Sequence, residues 1–329
     1  MADNGKFVIS LDFELQWGVF DKETLTSYET NILGVREALP ETLRVFDAYG
    51  IKATFATVGF LFAKDKEELL RFIPQEKPKY ADTKLSPYTT QLEMVKASEE
   101  EDPYHYAASL IALIKKYPDQ ELATHTFSHY YCLEEGQQVA DFRRDTQAAI
   151  AIAEKESVQL KSLVFPKNQF NQEYLQICKE LGISSYRGNE TSWIYSAKNE
   201  EEQTMLKRAF RLLDTYLNIS GHNCATMKEV AASYPYNIPS SRFLRPFSPK
   251  LAVLESLRLR RILKSMTHAA KKGTIFHLWW HPHNFGANQQ ENFQFLTKIL
   301  EHYKKLHTKY SFESITMAAI ADQIQQQNS

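Results

Sequence analysis

The 329-residue sequence is poor in cysteine, in excess charge of either sign and in long apolar runs, and each shortage removes a class of function. Its three cysteines, Cys132, Cys178 and Cys224, are far apart, odd in number and not in CxxC spacing. Neither a disulfide framework nor a cysteine-based zinc site is expected, and the three read as small, mostly buried side chains. Lysine plus arginine (39) nearly balances aspartate plus glutamate (40), so no global field favours nucleic acid or an acidic polymer. Recognition must therefore come from a site, and no nucleic-acid partner is expected. No segment reaches the apolar length that spans a bilayer. The chain starts Met-Ala-Asp-Asn-Gly-Lys and runs straight into Phe7-Val8-Ile9-Ser10-Leu11, without the charged leader and long apolar stretch of a secretory signal. The expectation is a cytoplasmic protein.

What is present is enough apolar content, 43%, to fill a substantial core, which excludes disordered and collagen-like classes. Short β-rich runs alternate with longer segments of helical period, the pattern of α/β architecture. Strands are predicted at Phe7 to Phe13, Ala53 to Val58, Leu122 to His125, Leu163 to Phe165 and Gly273 to Trp280. Helices are predicted at Leu33 to Tyr49, closed by Gly50, at Asp141 to Lys155, and at Gln172 to Leu181, stopped by Gly182. A single domain over 1–329 is expected, with insertions at about 63–118 and 187–250. The second includes the turn-rich Tyr234 to Pro249, with Pro235, Pro239, Pro246 and Pro249. Such stretches serve as lids, substrate walls or surface decoration. Leu251 to Lys272 reads as an amphipathic helix whose basic cluster, Arg258, Arg260, Arg261 and Lys264, is expected on a solvated face, leaving room for peripheral membrane contact.

Three segments carry chemistry. Asp12 and Glu14 lie two apart at the end of an apolar strand, so alternation turns both the same way. Two acids on one face repel unless one is protonated or a cation lies between them, which makes the pair a metal-and-base candidate. In Thr124-His125-Thr126-Phe127-Ser128-His129 the two histidines are four apart, and one helical turn would bring their imidazoles to a common point. Two histidines and a carboxylate form a three-ligand set with an open position. The third segment, His277-Leu278-Trp279-Trp280-His281-Pro282-His283-Asn284, runs from a strand into a histidine cluster; regular alternation would put His277, His281 and His283 on one face. Asp12, Glu14, His125 and His281 all fall at carboxyl ends of predicted strands, where parallel barrels gather functional groups.

Read together, these segments resemble the polysaccharide deacetylase family, carbohydrate esterase family 4, whose NodB homology domain is a distorted seven-stranded β/α barrel. The likeness runs from about Phe7 to the final helix near Ile324. Ile51-Lys52-Ala53-Thr54-Phe55-Ala56-Thr57-Val58-Gly59 looks like that family's second strand, and His125-Thr126-Phe127-Ser128-His129 like its histidine motif. The resemblance implies a metal-dependent hydrolase that removes an N-acetyl or other acyl group from an amino sugar. It also implies Asp12 as general base, His281 as general acid, and Glu14, His125 and His129 as ligands of a divalent metal, with zinc the expectation. Substrate contacts are expected from Trp17, Phe55, Pro166, Asn168, Arg187, Trp193 and Trp280, and Trp279 is a further aromatic near the motifs. Asp214 is read as an acid that could orient a catalytic histidine.

The sequence departs from the family in two places. Phe13 stands where a second adjacent aspartate is usual, so Glu14 is assigned as ligand by likeness to branches with Asp-x-Glu. Leu163-Val164-Phe165-Pro166-Lys167-Asn168-Gln169 keeps the third motif's proline but lacks the arginine that orients the base; either Lys167, Asn168 or the distant Arg187 replaces it, or activity is weak or altered. Rival readings are an allantoinase-like amidohydrolase on a small amide, a catalytically silent glycan-binding protein, and an iron oxygenase, since two histidines and one carboxylate also suit ferrous iron.

Overall fold

A central strand in a parallel sheet is covered on both faces and therefore reads as a nearly unbroken apolar run. Strand β1, Lys6–Phe13, has this character, with every residue after Lys6 buried in the computed structural model, which describes residues 4–190, 192–195 and 205–328. The other strands are β2 (Ala53–Thr57), β3 (Glu121–Thr124), β4 (Ser162–Val164), β5 (Ser185–Arg187), β6 (Tyr236–Asn237), β7 (Arg242–Phe243), β8 (Ile275–Trp280) and β9 (Glu313–Ser314). They form one curled sheet in the order β6-β5-β4-β3-β2-β1-β8-β7, with β9 paired to the start of β1. Every pairing between these strands is parallel. The barrel expected from the sequence is thus present as a parallel half-barrel of eight strands plus β9. The short β6 and β7, which the sequence did not announce as strands, form its two edges.

Alternation divides the side chains into two layers. Phe7, Ile9, Leu11 and Phe13 of β1, Phe55 of β2 and Leu278 and Trp280 of β8 face outward into the larger core. There they meet the helices α1 (Val35–Tyr49), α2 (Val139–Lys155) and α3 (Gln172–Glu180), together with two later helices, α5 (Glu255–Lys272) and α6 (Gln289–Tyr310); α4 (Met205–Asp214) adds none of its described side chains to this core. Val8, Ala56, Val164 and Ile275 face inward and are plugged by Ile315, Met317, Ile320 and Ile324, the last three on α7 (Met317–Asn328). Above this floor the inward positions of β1 turn polar, at Ser10 and Asp12, and so the functional groups sit at the carboxyl end of the barrel.

Helix α1 ends at Gly50 and α5 at Gly273, both in the left-handed conformation that a glycine C-cap adopts without strain. Helix α5 starts at Glu255 rather than Leu251, because Pro249–Leu254 forms a 3₁₀ turn first. The 63–118 stretch folds into short helices, among them Lys66–Phe72 and Ala108–Ile114, and buries Tyr106, Leu110, Ile111 and Ile114 in the main core. No helix among the described residues is long and apolar enough to cross a membrane.

The basic cluster on α5 is a solvated face only in part, since Arg260 and Lys264 are exposed while Arg258 and Arg261 are buried. Arg258 and Arg261 are 2% and 3% exposed. Arg258 stacks on the Phe295 ring at 3.9 Å and pairs with Glu255, while Arg261 reaches Ser265 and the Gly221 carbonyl. Their long apolar stems allow such burial where acceptors meet the guanidinium.

Asp214 is the acid around which this region is built, rather than a partner of a catalytic histidine. It accepts hydrogen bonds from Arg242 Nη1 (3.0 Å), the backbone amides of Ile219 (2.9 Å) and Ser220 (2.8 Å), and the Ser220 and Tyr195 hydroxyls. Burial raises its carboxyl, but Arg242 and the Ser220 bonds outweigh this and bring it down to about 2. A folded-state value below the ordinary aspartate pKa of about 3.9 adds stability that is full above that pH and is lost as pH falls through about 2. Asp214→Asn is expected to cost about 3–5 kcal/mol in urea unfolding at pH 7, because buried Arg242 loses its counter-charge. The same variant should lack the acid-limb slope; a loss under about 1 kcal/mol would assign Asp214 no such role.

Candidate active site

Glu14 follows the last residue of β1, and its carboxylate turns back over the sheet into space that Gly18 leaves open. A Cβ at Gly18 would lie 1.9 Å from Glu14 Cδ. There Glu14 Oε2 is 3.1 Å from His125 Nε2 and 3.2 Å from His129 Nε2, and the three side chains are buried. Among the described residues, Glu14, His125 and His129 are the group of metal-capable side chains that converge, with one ligand atom from each within 4.8 Å of the others.

The two imidazoles do not meet through a helical turn. His125 to His129 is a loop in which Thr126 and His129 have φ of 65° and 57°, an uncommon conformation for non-glycine residues, most of all a β-branched one. Asp145 of α2 holds the loop in this shape. It accepts the amides of Phe127 (2.7 Å) and Ser128 (3.1 Å) and the Ser128 hydroxyl, and burial still pushes its carboxyl up to about 6. Tyr130 N closes the loop onto Thr126 Oγ1 at 2.7 Å.

His125 Nδ1 lies 2.8 Å from the Val164 carbonyl, an acceptor only, so the proton on this ring resides at Nδ1. A neutral His125 then turns an unprotonated Nε2 toward the Glu14 carboxylate. Lone pair faces lone pair at 3.1 Å, an arrangement that a cation between the two groups resolves. Two imidazole nitrogens and one carboxylate oxygen match the donor preference of zinc and similar divalent ions.

Asp12 lies beside this group and is clamped by Arg187 of β5, with Nη1 to Oδ1 at 2.6 Å and Nη2 to Oδ2 at 2.7 Å. Burial raises the Asp12 carboxyl, but Arg187 and the imidazoles of His125 and His281 outweigh it and hold the group below its ordinary value. Arg187 is itself placed by Asn168 Oδ1 (2.9 Å) and Ser10 Oγ (3.0 Å). Ser10 Oγ also meets His277 Nε2 at 2.9 Å, and His277 Nδ1 donates to the Ile238 carbonyl at 3.1 Å. Burial drives His277 down to about 3, so the neutral ring accepts from Ser10, whose oxygen accepts from Arg187. The arginine missing after β4 is therefore supplied, for contact with this aspartate, from the end of the next strand.

His281 follows the last residue of β8, is 23% exposed at its side chain, and lies with Nε2 at 3.6 Å from Glu14 Oε1 and 3.8 Å from Asp12 Oδ2. Its Nδ1 is 3.3 Å from Asn284 Oδ1, and its ring stacks on His283 at 4.9 Å. His283 is buried, and burial together with His281 lowers it to about 3. Of the three histidines near this end, His281 alone combines exposure with reach to both acids.

Several expected sugar contacts lie elsewhere. Trp17, Phe55 and Trp280 have no exposed surface. Trp17 donates Nε1 to the His105 carbonyl at 2.8 Å and packs on Phe60, whereas Phe55 and Trp280 point outward to the helices. Pro166 is buried, and Arg187 is wholly buried against Asp12 instead of facing a ligand. The side chain of Trp193 lies outside the described residues. Asn168 does line the cavity over Asp12 and Glu14, which has a volume of about 300 Å³ and includes Phe243, Trp279 and Lys167 in its wall. Lys167 is fixed there by Asp21 at 3.1 Å and by the Tyr131 ring at 3.9 Å. Trp279 caps the Arg187 guanidinium at 4.1 Å and packs on Phe243 at 4.6 Å, making it, among the described side chains, the tryptophan that faces the cavity. The alternation that grouped His277 with His281 also selects Trp279 over Trp280.

Residues 19–186, just over half of the chain, match the family model described as polysaccharide deacetylase. The chain belongs to the polysaccharide deacetylase family. Among solved structures it is similar to a Mycobacterium smegmatis protein assigned as a polysaccharide deacetylase, at 12% identity and TM-score 0.61, covering 100% of this chain and 93% of that one. It is similar also to a Pseudomonas aeruginosa PAO1 protein with the same assignment, at 10% identity and TM-score 0.52, covering 96% and 89%. The PuuE allantoinase structure matches at 11% identity and TM-score 0.51, covering 96% and 88%. At these identities the likenesses establish the fold. No curated protein matches the sequence.

Proposed function

We propose that this chain is a divalent-metal-dependent hydrolase, with zinc as the working ion, that removes an N-acetyl group from an amino sugar in a glycan or glycan precursor. The same proposal places it in the cytoplasm, on an intermediate of surface-polysaccharide assembly. The observation that carries the reading is the facing of His125 Nε2 and His129 Nε2 onto one oxygen of buried Glu14, with the His125 proton committed to Val164.

Glu14, His125 and His129 would hold the ion, which supplies polarisation of the acyl carbonyl and a lowered pKa for a water. Asp12, kept ionised and oriented by Arg187, takes the proton of the attacking water. His281, within 4 Å of both acids, hands a proton to the departing amine. Products are acetate and the free amino sugar. Trp279 and Phe243 offer apolar faces to the ring, and Asn168 a polar edge.

Acetate release from N-acetylated oligosaccharides, measured after loading the purified protein with zinc, cobalt or manganese, tests the reading. Metal-dependent release supports it. Ureide hydrolysis without acetate release, or sugar binding with no turnover under any metal, replaces it. Gly18→Ala provides an independent check, because the new Cβ meets the Glu14 side chain and must turn that carboxylate away. The variant is expected to keep its melting temperature within a few degrees and to bind zinc at least about tenfold more weakly by calorimetric titration. Unchanged affinity would remove Glu14 from the ligand set.

A further inference from the structure

Single exposed apolar side chains are ordinary on a protein surface, whereas clustered ones mark contact sites. Six of the nine large hydrophobic side chains exposed among the described residues fall in two short segments, Leu212, Leu213, Leu217 and Ile219 in one, Val253 and Leu257 in the other. The two segments are joined by hydrogen bonds. Arg258 of α5 donates to the Arg245 carbonyl, Arg245 Nε donates to Thr215 Oγ1 at 3.1 Å, Arg261 donates to the Gly221 carbonyl, and His222 Nδ1 meets Ser265 Oγ at 3.1 Å. Residues 212–222 thus lie along the first turns of α5, and one surface carries both apolar sets.

The exposed charges on this surface have one sign. Within the described parts of 205–222 and 249–264, the exposed charged side chains are Lys250, Arg260 and Lys264. The acids there, Asp214 and Glu255, are held by Arg242 and Arg258. Leu257, Arg260 and Lys264 follow at steps of three and four residues along α5, so two of the cations share a helix face with an apolar residue. The whole chain has a net charge of −1, so the basic character is local. Val253, 87% exposed on the turn before α5, protrudes instead of lining a groove. A second copy fits this face poorly, because a two-fold pairing would bring two sets of the three cations onto one interface. The large exposed side chains are aliphatic, whereas hot spots of protein interfaces favour Trp, Tyr and Arg. An anionic lipid surface accepts both features, aliphatic groups at the acyl boundary and bases among the headgroups.

We infer that this face docks on an anionic lipid bilayer. Leu212 also lines a chamber of about 510 Å³ that shares Phe243 and Trp279 with the cavity over Asp12, so docking sets the approach to the candidate active site beside the bilayer.

The test is cosedimentation of the full-length protein with vesicles of phosphatidylcholine alone and of equal parts phosphatidylcholine and phosphatidylglycerol. Binding to the anionic vesicles is expected to be at least about tenfold tighter, since each base near an anionic surface adds about fivefold, and to weaken as salt is raised. Arg260→Gln combined with Lys264→Gln should lower the affinity by at least about tenfold, and Val253→Asp combined with Leu217→Asp should do the same. All four side chains are exposed, and unchanged melting curves would show that each double variant folds. No binding to the anionic vesicles overturns the inference, as does binding that survives both double variants. Equal binding to the two kinds of vesicle also overturns it, since the bases would then contribute nothing. A dimer in analytical ultracentrifugation that Val253→Asp with Leu217→Asp dissolves, without vesicle binding, would assign the face to a second copy instead. Vesicle binding requires neither metal nor acetate release, so it succeeds or fails independently of the deacetylase reading.

Discussion

Asp12→Asn is expected to lower kcat by about 10²–10⁴-fold, the usual contribution of a positioned general base, while the protein retains its divalent ion. The amide keeps the shape of the carboxylate and one acceptor oxygen for Arg187, so geometry is nearly preserved while the proton acceptor is lost. Glu14, His125 and His129 are untouched, which separates loss of the base from loss of the ion. Stability should fall as well, because Arg187 is wholly buried and Asp12 is its counter-charge. The check is a pair of measurements on one preparation, steady-state acetate release and metal content by atomic emission. Undiminished kcat with metal bound would reject Asp12 as the base.

Arg187→Met is expected to cost about 3–5 kcal/mol of stability, because it leaves Asp12 as a buried carboxylate without its bidentate partner. Its effect on pH dependence follows from the same pair. Arg187 helps hold the folded-state pKa of Asp12 below the ordinary value, so the pair's stabilisation is full above about 3.9 and is lost as pH falls through the lowered value. Without the guanidinium, burial dominates and the carboxyl rises. The acidic limb of the kcat profile should therefore move to higher pH in the variant, and Arg187→Lys should restore part of the shift with one donor group in place of the fork. An unmoved acidic limb would contradict the positioning role of Arg187. Urea unfolding and a pH–rate profile between pH 4 and 9 measure the two effects.

The features legible in the sequence were those with local signals. The apolar run of β1 and the glycine C-caps at Gly50 and Gly273 report short-range geometry, whereas the meeting of Glu14, His125 and His129 is implied by the family resemblance and not by the helical turn that the histidine spacing suggests. The strand-end positions of Asp12 and His281 followed from the same reading of periodicity. What escaped depended on parity and on long-range pairing. The inward face of β8 carries His277 and His281 and with them Trp279, not Trp280, and the motif around Phe55 does not show that its parity sends it outward. The histidine loop uses left-handed residues held by Asp145, and nothing in Thr126-Phe127-Ser128 signals that support from a helix later in the chain. Arg187 was named among three replacements for the missing arginine, and only the pairing of β5 with β4 brings it to Asp12. Arg258 and Arg261 resembled a solvated cluster because composition does not reveal the acceptors that bury them.

The most direct test of the account is a crystal of the zinc-treated protein measured on both sides of the zinc absorption edge. The expected result is one strong anomalous peak in contact with Glu14, His125 Nε2 and His129 Nε2, absent in His125→Ala crystals treated in the same way. A saturated crystal with no peak between those three side chains, or an undiminished peak in the alanine variant, would contradict it.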